Sequence, residues 1–443
     1  MAHRRPSVAA EAVRLDGRKL EGGGQLVRIA VALSALTGQA VAIDNIRGNR
    51  SGKRGLKASH LAAIQTLGEL SGSTLVKAQV GSCSVGFYPP PHKQGQARQT
   101  NSDIKIRLPT PGSVFLVFQA LYPYLLHTAS ADQIHVSIIG GTNVSSSPSY
   151  DYVAQVLIPN FARVGLPPID VRLEKRGWSS GQGHSDLGKV VFAIDTLRRP
   201  RGSGGAPSHE VPSIDLHQCR RGTISQIDIT ILAPDDRLEE LDEPETVREV
   251  MERQVHRTLR KRLKELPQSL FSHSSSGDPD LKGKSHVVPI RTHTTEVTHR
   301  RSRMYVLIVA HTSTGFRIGR DALYGSLGEQ PKPKKPKPKK GQNKPHEDMA
   351  SRVSGLVDQC VERFVRELHD PQLQTEPDGS ARHQPCVDEY MRDQLVVFEA
   401  LGRVSGGQAQ QELENQEDER YWSLHTKTAQ WVCREMLGED SIT

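Results

Sequence analysis

The sequence predicts an α+β protein whose larger part repeats a β-α-β-α-β-β unit, and three observations carry that prediction. Strand and helix periodicities alternate in this order from Val13 to Pro89, and a similar rhythm resumes at Ile104. A stretch rich in Gly, Pro and Ser at 199–210 (RPRGSGGAPSHE) reads as a linker, and a unit of different pattern starts at Ser213. Helical periodicity then closes the chain at 387–401 and 425–437. Residue identity between the repeats is weak, so the repeat rests on element order.

Taken in order, residues 1–10 form a loose leader, and RLDG leads into a glycine loop, EGGG (21–24). Leu26, Ile29, Ala30, Leu33 and Leu36 then share one helical face, and Gly38 stops the helix. QAVAIDNI (39–46) is a strand. The basic loop RGNRSGKRG (47–55) leads to a second helix with Leu56, Leu61, Ile64, Leu67 and Leu70 at helical spacing. TLVKAQV and CSVGFYP are strands. IKIRL (104–108) is a strand, 112–126 a helix, and IHVSII (134–139) a half-buried strand. GGTN (140–143) precedes a helix from Tyr150 to about Val164, and VRLEKRGW (171–178) is a strand. The later unit holds a strand at 223–232, a charged helix at 243–265, a polar loop at 272–284, a strand at 304–312 and a helix at 351–368.

A chain of 443 residues is long enough for two or three domains. No apolar run approaches the ~18 residues of a membrane span, and the N-terminal residues lack a signal-peptide core, so a soluble intracellular protein is expected. The five cysteines are scattered without a CxxC pair, which disfavours a disulfide framework or a zinc site. The net charge is +8, of which seven come from lysines between 331 and 345; the remainder is about +1, so any nucleic-acid surface is local.

Five segments can carry chemistry. The EGGGQLVR segment (21–28) places glycines at a helix start, where backbone amides can bind phosphate, but it lacks the Lys-Ser/Thr ending of a P-loop and reads equally as a Gly-rich turn. Arg47, Arg50, Lys53, Arg54 and Lys57 form a basic loop, suited to phosphates or simply solvated. GGTN, with Pro148 beyond it, is a strand end that can face a ligand or merely turn. Tyr390, Asp393 and Gln394, spaced i, i+3, i+4, share a helix face able to grip a nucleobase and ribose; a plain surface face is the alternative. His425, one of 18 histidines, starts the last helix, where the macrodipole disfavours imidazolium.

The order and wording of these segments form one pattern. LDG…EGGGQ…R, IR..R…GL…H, GS…FQ…P, GGTN….P, VDEY..DQL and SLHT.T together resemble the RNA 3'-terminal phosphate cyclase family from about Val13 to Glu435. The resemblance implies a large domain of repeated βαβαββ units, like the C-terminal domain of a translation initiation factor, with a smaller inserted α+β domain. On that pattern a disordered leader (1–12) precedes the first part of the large domain (13–212). The insert (213–384) carries a Lys/Pro-rich low-complexity segment (329–347), and the large domain finishes at 385–443.

The resemblance also implies roles. His425 is the nucleophile that becomes AMP-linked; Gln119, Pro148, Tyr390, Asp393 and Gln394 bind ATP; Gln25, Arg28, Arg47 and Arg50 bind RNA or phosphate; Glu21 binds a divalent metal such as Mg or Mn. The implied reaction converts an RNA 3'-phosphate to a 2',3'-cyclic phosphodiester, with ATP as substrate and release of AMP and pyrophosphate. The alternative is the family's sister branch, inactive cyclase-like RNA-binding proteins of ribosomal RNA processing; His425 and the Asp393–Gln394 pair favour the active branch. A nuclear location, with the cytoplasm as a second one, is expected. The Lys/Pro run reads as a nuclear-import signal, an RNA tether or a solvated extension. Departures from the family pattern include Leu20 where Gly is usual, Arg54 where Pro is usual, the stretch 176–188, and an acidic loop before His425.

Overall fold

The computed structural model describes residues 12–50, 52–91, 102–127, 132–180, 185–197, 211–216, 218–238, 245–272, 288–326, 348–370, 384–406 and 422–438. The Lys/Pro run, the 199–210 linker, most of the 272–284 loop and the acidic loop before His425 lie outside them.

The chain folds as a mixed α+β structure. Its first sheet contains β1 (Val13–Asp16), β2 (Val41–Asp44), β3 (Thr74–Val76) and β4 (Val85–Tyr88), with α1 (Gly24–Thr37) and α2 (Ala58–Ser71) in the crossovers. Strand order is β1-β2-β4-β3, and β1 and β2 run parallel. The N–H of Gly38, at φ 80°, returns to Ser34 O at 2.9 Å and ends α1 as expected.

Six strands follow: β5 (Asp103–Arg107), β6 (Gln133–Gly140), β7 (Asn143–Val144), β8 (Ile169–Lys175), β9 (Trp178–Ser179) and β10 (Gly188–Asp195). The second sheet orders its strands β5-β6-β10-β8, the same pattern as the first. Between them lie α3 (Val114–Leu126), α4 (Tyr150–Tyr152), a π-helical segment (Val153–Leu157) and α5 (Ile158–Arg163). β7 and β9 pair with each other. Sequence periodicity did not pick out β10, whose residues alternate between buried and half-buried against β6 and β8.

The third sheet joins β11 (Ile224–Pro234), β12 (Ile290–Thr298), β13 (Tyr305–Thr312) and β14 (Arg317–Leu323) in the order β12-β11-β13-β14. Helices α6 (Val247–Leu263) and α7 (Met349–Leu368) pack against it and each other. β12 and β14 were not predicted: β12 alternates through Thr and His, and β14 carries Arg317, Arg320 and Asp321. Two helices close the chain, α8 (Glu389–Gly406) and α9 (Leu424–Leu437).

One hydrophobic core combines residues between 15 and 216 with residues between 386 and 436, through contacts of α1 with α2, α3 and α9 and of α8 with α9. A second lies wholly within 224–368. Strand β13 serves both. Tyr305, Leu307 and Val309 face the first core, while Val306, Ile308 and Ala310 face the second, by strand alternation. This explains why its sequence is continuously apolar. Each such aliphatic side chain buried contributes ~1.5–3 kcal/mol.

Candidate active site

Two glycines shape the loop that opens the site. Gly22 holds φ +62°, and a Cβ there would stand 2.2 Å from Gly17 O. A Cβ on Gly24 would stand 2.2 Å from Nε2 of His60. The close path lets α1 begin immediately afterwards and turns the Glu21 side chain inward, where it is 8% exposed. The Glu21 carboxylate forms an ion pair with Arg50 through Oε1. Its backbone N–H donates to Thr428 Oγ1 at 3.3 Å, which ties the loop to α9.

His425 stands in the first turn of α9, whose cap is Ser423; the Ser423 Oγ accepts from the Thr426 N–H at 3.2 Å. Nδ1 of His425 lies 3.0 Å from Oε1 of Gln25, 3.4 Å from Oε2 of Glu21 and 3.8 Å from Oδ2 of Asp393. The other end of the Gln25 amide donates to Asp393 Oδ2 at 3.3 Å. That contact sets the amide's orientation, so Oε1 must face the imidazole. Gln394 donates to Asp393, and Gln119 donates to Gln394. Side chains from α1, α3, α8 and α9 thus form one chain of hydrogen bonds ending at the histidine.

Electrostatics separate these groups. Partial burial, then the guanidiniums of Arg50 and Arg28, push the His425 pKa down to about 4. The ring is therefore neutral at neutral pH although its side chain is 49% exposed. Burial raises Asp393 to about 7 against the pull of Gln394 and Arg28. Burial lowers Arg28 to about 10, which leaves it a cation. Among the described residues the Arg28 guanidinium has no ion pair, which suits an incoming anion.

These groups line a cavity of about 380 Å³. His425, Ser423, Arg28 and Asp393 line it, and Pro148 and Tyr390 belong to the same walls. The Tyr390 ring is 40% exposed, stands edge-on to Tyr152 at 6.2 Å and carries the Arg320 guanidinium 4.2 Å from its centre. Asp388 fixes the start of α8 beneath it. Completely buried, it accepts from Tyr152 Oη at 2.6 Å and from the backbone N–H groups of Gly319 and Met391, each at 2.9 Å.

The structure therefore gathers Gln119, Pro148, Tyr390, Asp393, Gln394, Arg28 and His425 around one cavity, with Gln25 and Glu21 against the histidine. Arg50 reaches Glu21. Arg47 does not join them; at φ +61° it turns back and donates to Lys53 O at 2.5 Å. Sequence reasoning missed Tyr305, Asp321 and Arg363, which the third sheet and α7 bring into the walls. Tyr305 Oη donates to Asp321 Oδ2 at 3.0 Å and lies 2.5 Å from Ser149 Oγ. The one signal was the Arg320–Asp321 pair set between Ile318 and the apolar Ala322 and Leu323 of β14. No group of three or more His, Cys, Asp or Glu among the described residues is arranged to hold a metal, and no described helix is long and apolar enough to cross a membrane.

The family model described as RNA 3'-terminal phosphate cyclase matches residues 19–441. Curated proteins of that name are similar to parts of the chain. The one from Thermococcus sibiricus is 36% identical over 176 residues, 40% of this chain and 47% of the relative. The one from Pyrococcus furiosus is 39% identical over 163 residues, 37% and 44% of the two chains. The one from Methylococcus capsulatus is 37% identical over 174 residues, 38% and 45%. The chain thus spans about half the length of the curated relatives it matches. These relatives come from archaea and bacteria, whose cells have no nucleus, and this overturns the nuclear location expected from the sequence.

Proposed function

The chain belongs to the RNA 3'-terminal phosphate cyclase family, and we propose that it converts an RNA 3'-phosphate to a 2',3'-cyclic phosphodiester with consumption of one ATP. The observation that carries this reading is the His425–Gln25–Asp393 arrangement, whose His425 and Asp393 line the 380 Å³ cavity. With Nδ1–H directed to Gln25 Oε1, the lone pair of Nε2 is free to act as a nucleophile.

The Nε2 lone pair forms a bond to the α-phosphorus of ATP while the bond to the pyrophosphate oxygen breaks, and pyrophosphate leaves with that electron pair. An oxygen of the RNA 3'-phosphate then attacks the same phosphorus, and the N–P electrons return to His425. Finally the terminal 2'-hydroxyl, losing its proton, attacks the 3'-phosphorus and expels AMP. The last step requires RNA, because DNA has no 2'-hydroxyl. Gln119, Pro148, Tyr390, Asp393 and Gln394 are the ATP-binding residues in this reading, and Gln25, Arg28 and Arg50 receive phosphates, where cations stabilise developing charge; Arg47, hydrogen-bonded to Lys53 O, is left out of that set.

Mg or Mn ions take one or two carboxylates together with substrate phosphates. Glu21, a buried carboxylate whose Oε1 is held by Arg50, fits that role once Arg50 turns to the nucleotide. Such an ion would neutralise charge on the departing pyrophosphate. The two cores support a large domain formed by 13–212 and 385–443, built on the two sheets of matching order, with 213–384 inserted.

The test is RNA cyclisation. An oligoribonucleotide 3'-phosphate incubated with ATP and Mg should gain a phosphatase-resistant cyclic end, with one AMP and one pyrophosphate released per end. The same strand with a terminal 2'-deoxyribose should not cyclise. ATP consumption without cyclic ends would defeat the proposal.

A further inference from the structure

Helix α6 lies in the third unit and presents a face that the cyclisation chemistry leaves unused. Its Met251, Val255, Leu259 and Leu263 are buried against the sheet and α7. Its outer face exposes Arg253, Arg257, Arg260, Lys261 and Lys264. From 253 to 264 the helix contains no acidic residue. Arg253 pairs with Glu245, and Arg262, at the side of the stripe, pairs with Glu265 and Glu362. Among the described residues Arg257, Arg260, Lys261 and Lys264 form no ion pair.

The helix dipole accounts for cations in the last turn, which holds Arg260, Lys261 and Arg262. It does not account for Arg257 one turn earlier. Arg257 and Lys261, like Arg260 and Lys264, stand four residues apart, a spacing at which like charges repel. The fold therefore keeps a strip of unneutralised positive charge about 10 Å long, from the rise per residue between 257 and 264, against its own stability. A polyanion would relieve that repulsion.

We propose that this stripe docks the phosphate backbone of single-stranded RNA upstream of the reacting 3' end. The inference rests on RNA being the substrate. A membrane is disfavoured because interfacial helices offer apolar residues beside their cations, and the apolar side of α6 is buried. A folded acidic protein is disfavoured because the stripe provides no aromatic or apolar anchor.

The test compares wild type with the triple variant Arg257→Gln/Arg260→Gln/Lys261→Gln. Its affinity for an RNA 3'-phosphate of about 30 nucleotides should fall by ~10-fold or more at low salt. The slope of log affinity against log salt should lessen by ~2, at ~0.7 for each single-strand phosphate that the variant no longer neutralises. Binding of a dinucleotide 3'-phosphate and labelling of His425 by ATP should stay at wild-type level, and the melting temperature should hold or rise. An unchanged slope for the long RNA, with His425 still labelled, would overturn the stripe alone. Equal losses for long and short RNA, or a variant defective only in binding anionic vesicles, would overturn it too. A wild-type protein that takes no label fails the active-site reading first, whatever the stripe does.

Discussion

Nδ1 of His425 lies 3.0 Å from Oε1 of Gln25, a residue 400 positions earlier in the chain, and this contact orients the only histidine lining the cavity among the described residues. Gln25 is 5% exposed and is itself held by Asp393. Replacing Gln25 with Leu keeps the volume roughly constant and removes the acceptor. Self-adenylation by ATP should slow by ~10–100-fold through misorientation of the ring, with ATP affinity changed far less. Single-turnover labelling at several ATP concentrations separates the two.

The acid limb of self-adenylation should reflect the lowered pKa of His425. A lowered pKa keeps the lone pair free further into acid. The rate of labelling should therefore decline on the way to about pH 4, below the ordinary histidine value of 6.5. Replacing both Arg28 and Arg50 with Gln removes two of the three causes and should move the limb upward. A pH–rate profile under saturating ATP measures both.

Asp393 carries the opposite shift, raised by burial to about 7 from 3.8. A raised folded-state pKa favours the protonated form. Its stabilising contribution is complete below about pH 4 and is lost as pH rises through about 7. Asp393→Asn should therefore stabilise the fold at pH 8 by ~2 kcal/mol while lowering adenylation, with no gain at pH 4. Urea unfolding at the two pH values checks the sign.

Asp388 joins three separated pieces of chain. Asp388→Ala would leave Tyr152 Oη and the N–H groups of Gly319 and Met391 without their acceptor inside the protein. A decrease in stability of ~3 kcal/mol is expected from these stranded donors, read out by urea unfolding. Asp388→Asn should cost less, since one carbonyl oxygen remains.

Leu20 occupies φ +55°, the left-handed region. That conformation costs a non-glycine residue ~1–2 kcal/mol. Leu20→Gly should leave stability unchanged or raise it by up to ~1 kcal/mol, and Leu20→Val should lower it by ~1 kcal/mol or more. Thermal melting distinguishes them.

Much of the site was legible because its residues sit in local, ordered motifs. The glycine run placed Glu21 just before a helix and Gln25 in its first turn, and the helical spacing put Tyr390, Asp393 and Gln394 on one face. The walls supplied by Tyr305, Asp321 and Arg363 were not legible. They come from strands and a helix whose closeness to His425 depends on how β13 divides its faces between two cores. β12 and β14 escaped for a related reason: Arg, Thr, His and Glu run almost unbroken through β12 and Arg320–Asp321 interrupts β14, so neither shows the apolar alternation that periodicity looks for. Arg47 illustrates the reverse. The basic loop was legible as a group, but Arg47, in a left-handed turn, donates to Lys53 O and is not among the residues that line the cavity.

Covalent self-labelling tests the account most directly. Wild-type protein incubated with α-labelled ATP and Mg, then denatured, should retain one acid-labile, base-stable AMP per chain, and a 3'-phosphorylated RNA should discharge it. The His425→Ala protein, folded by circular dichroism, should take none. Label at wild-type level on His425→Ala, or none on the wild type, would contradict the assignment of His425 as the nucleophile.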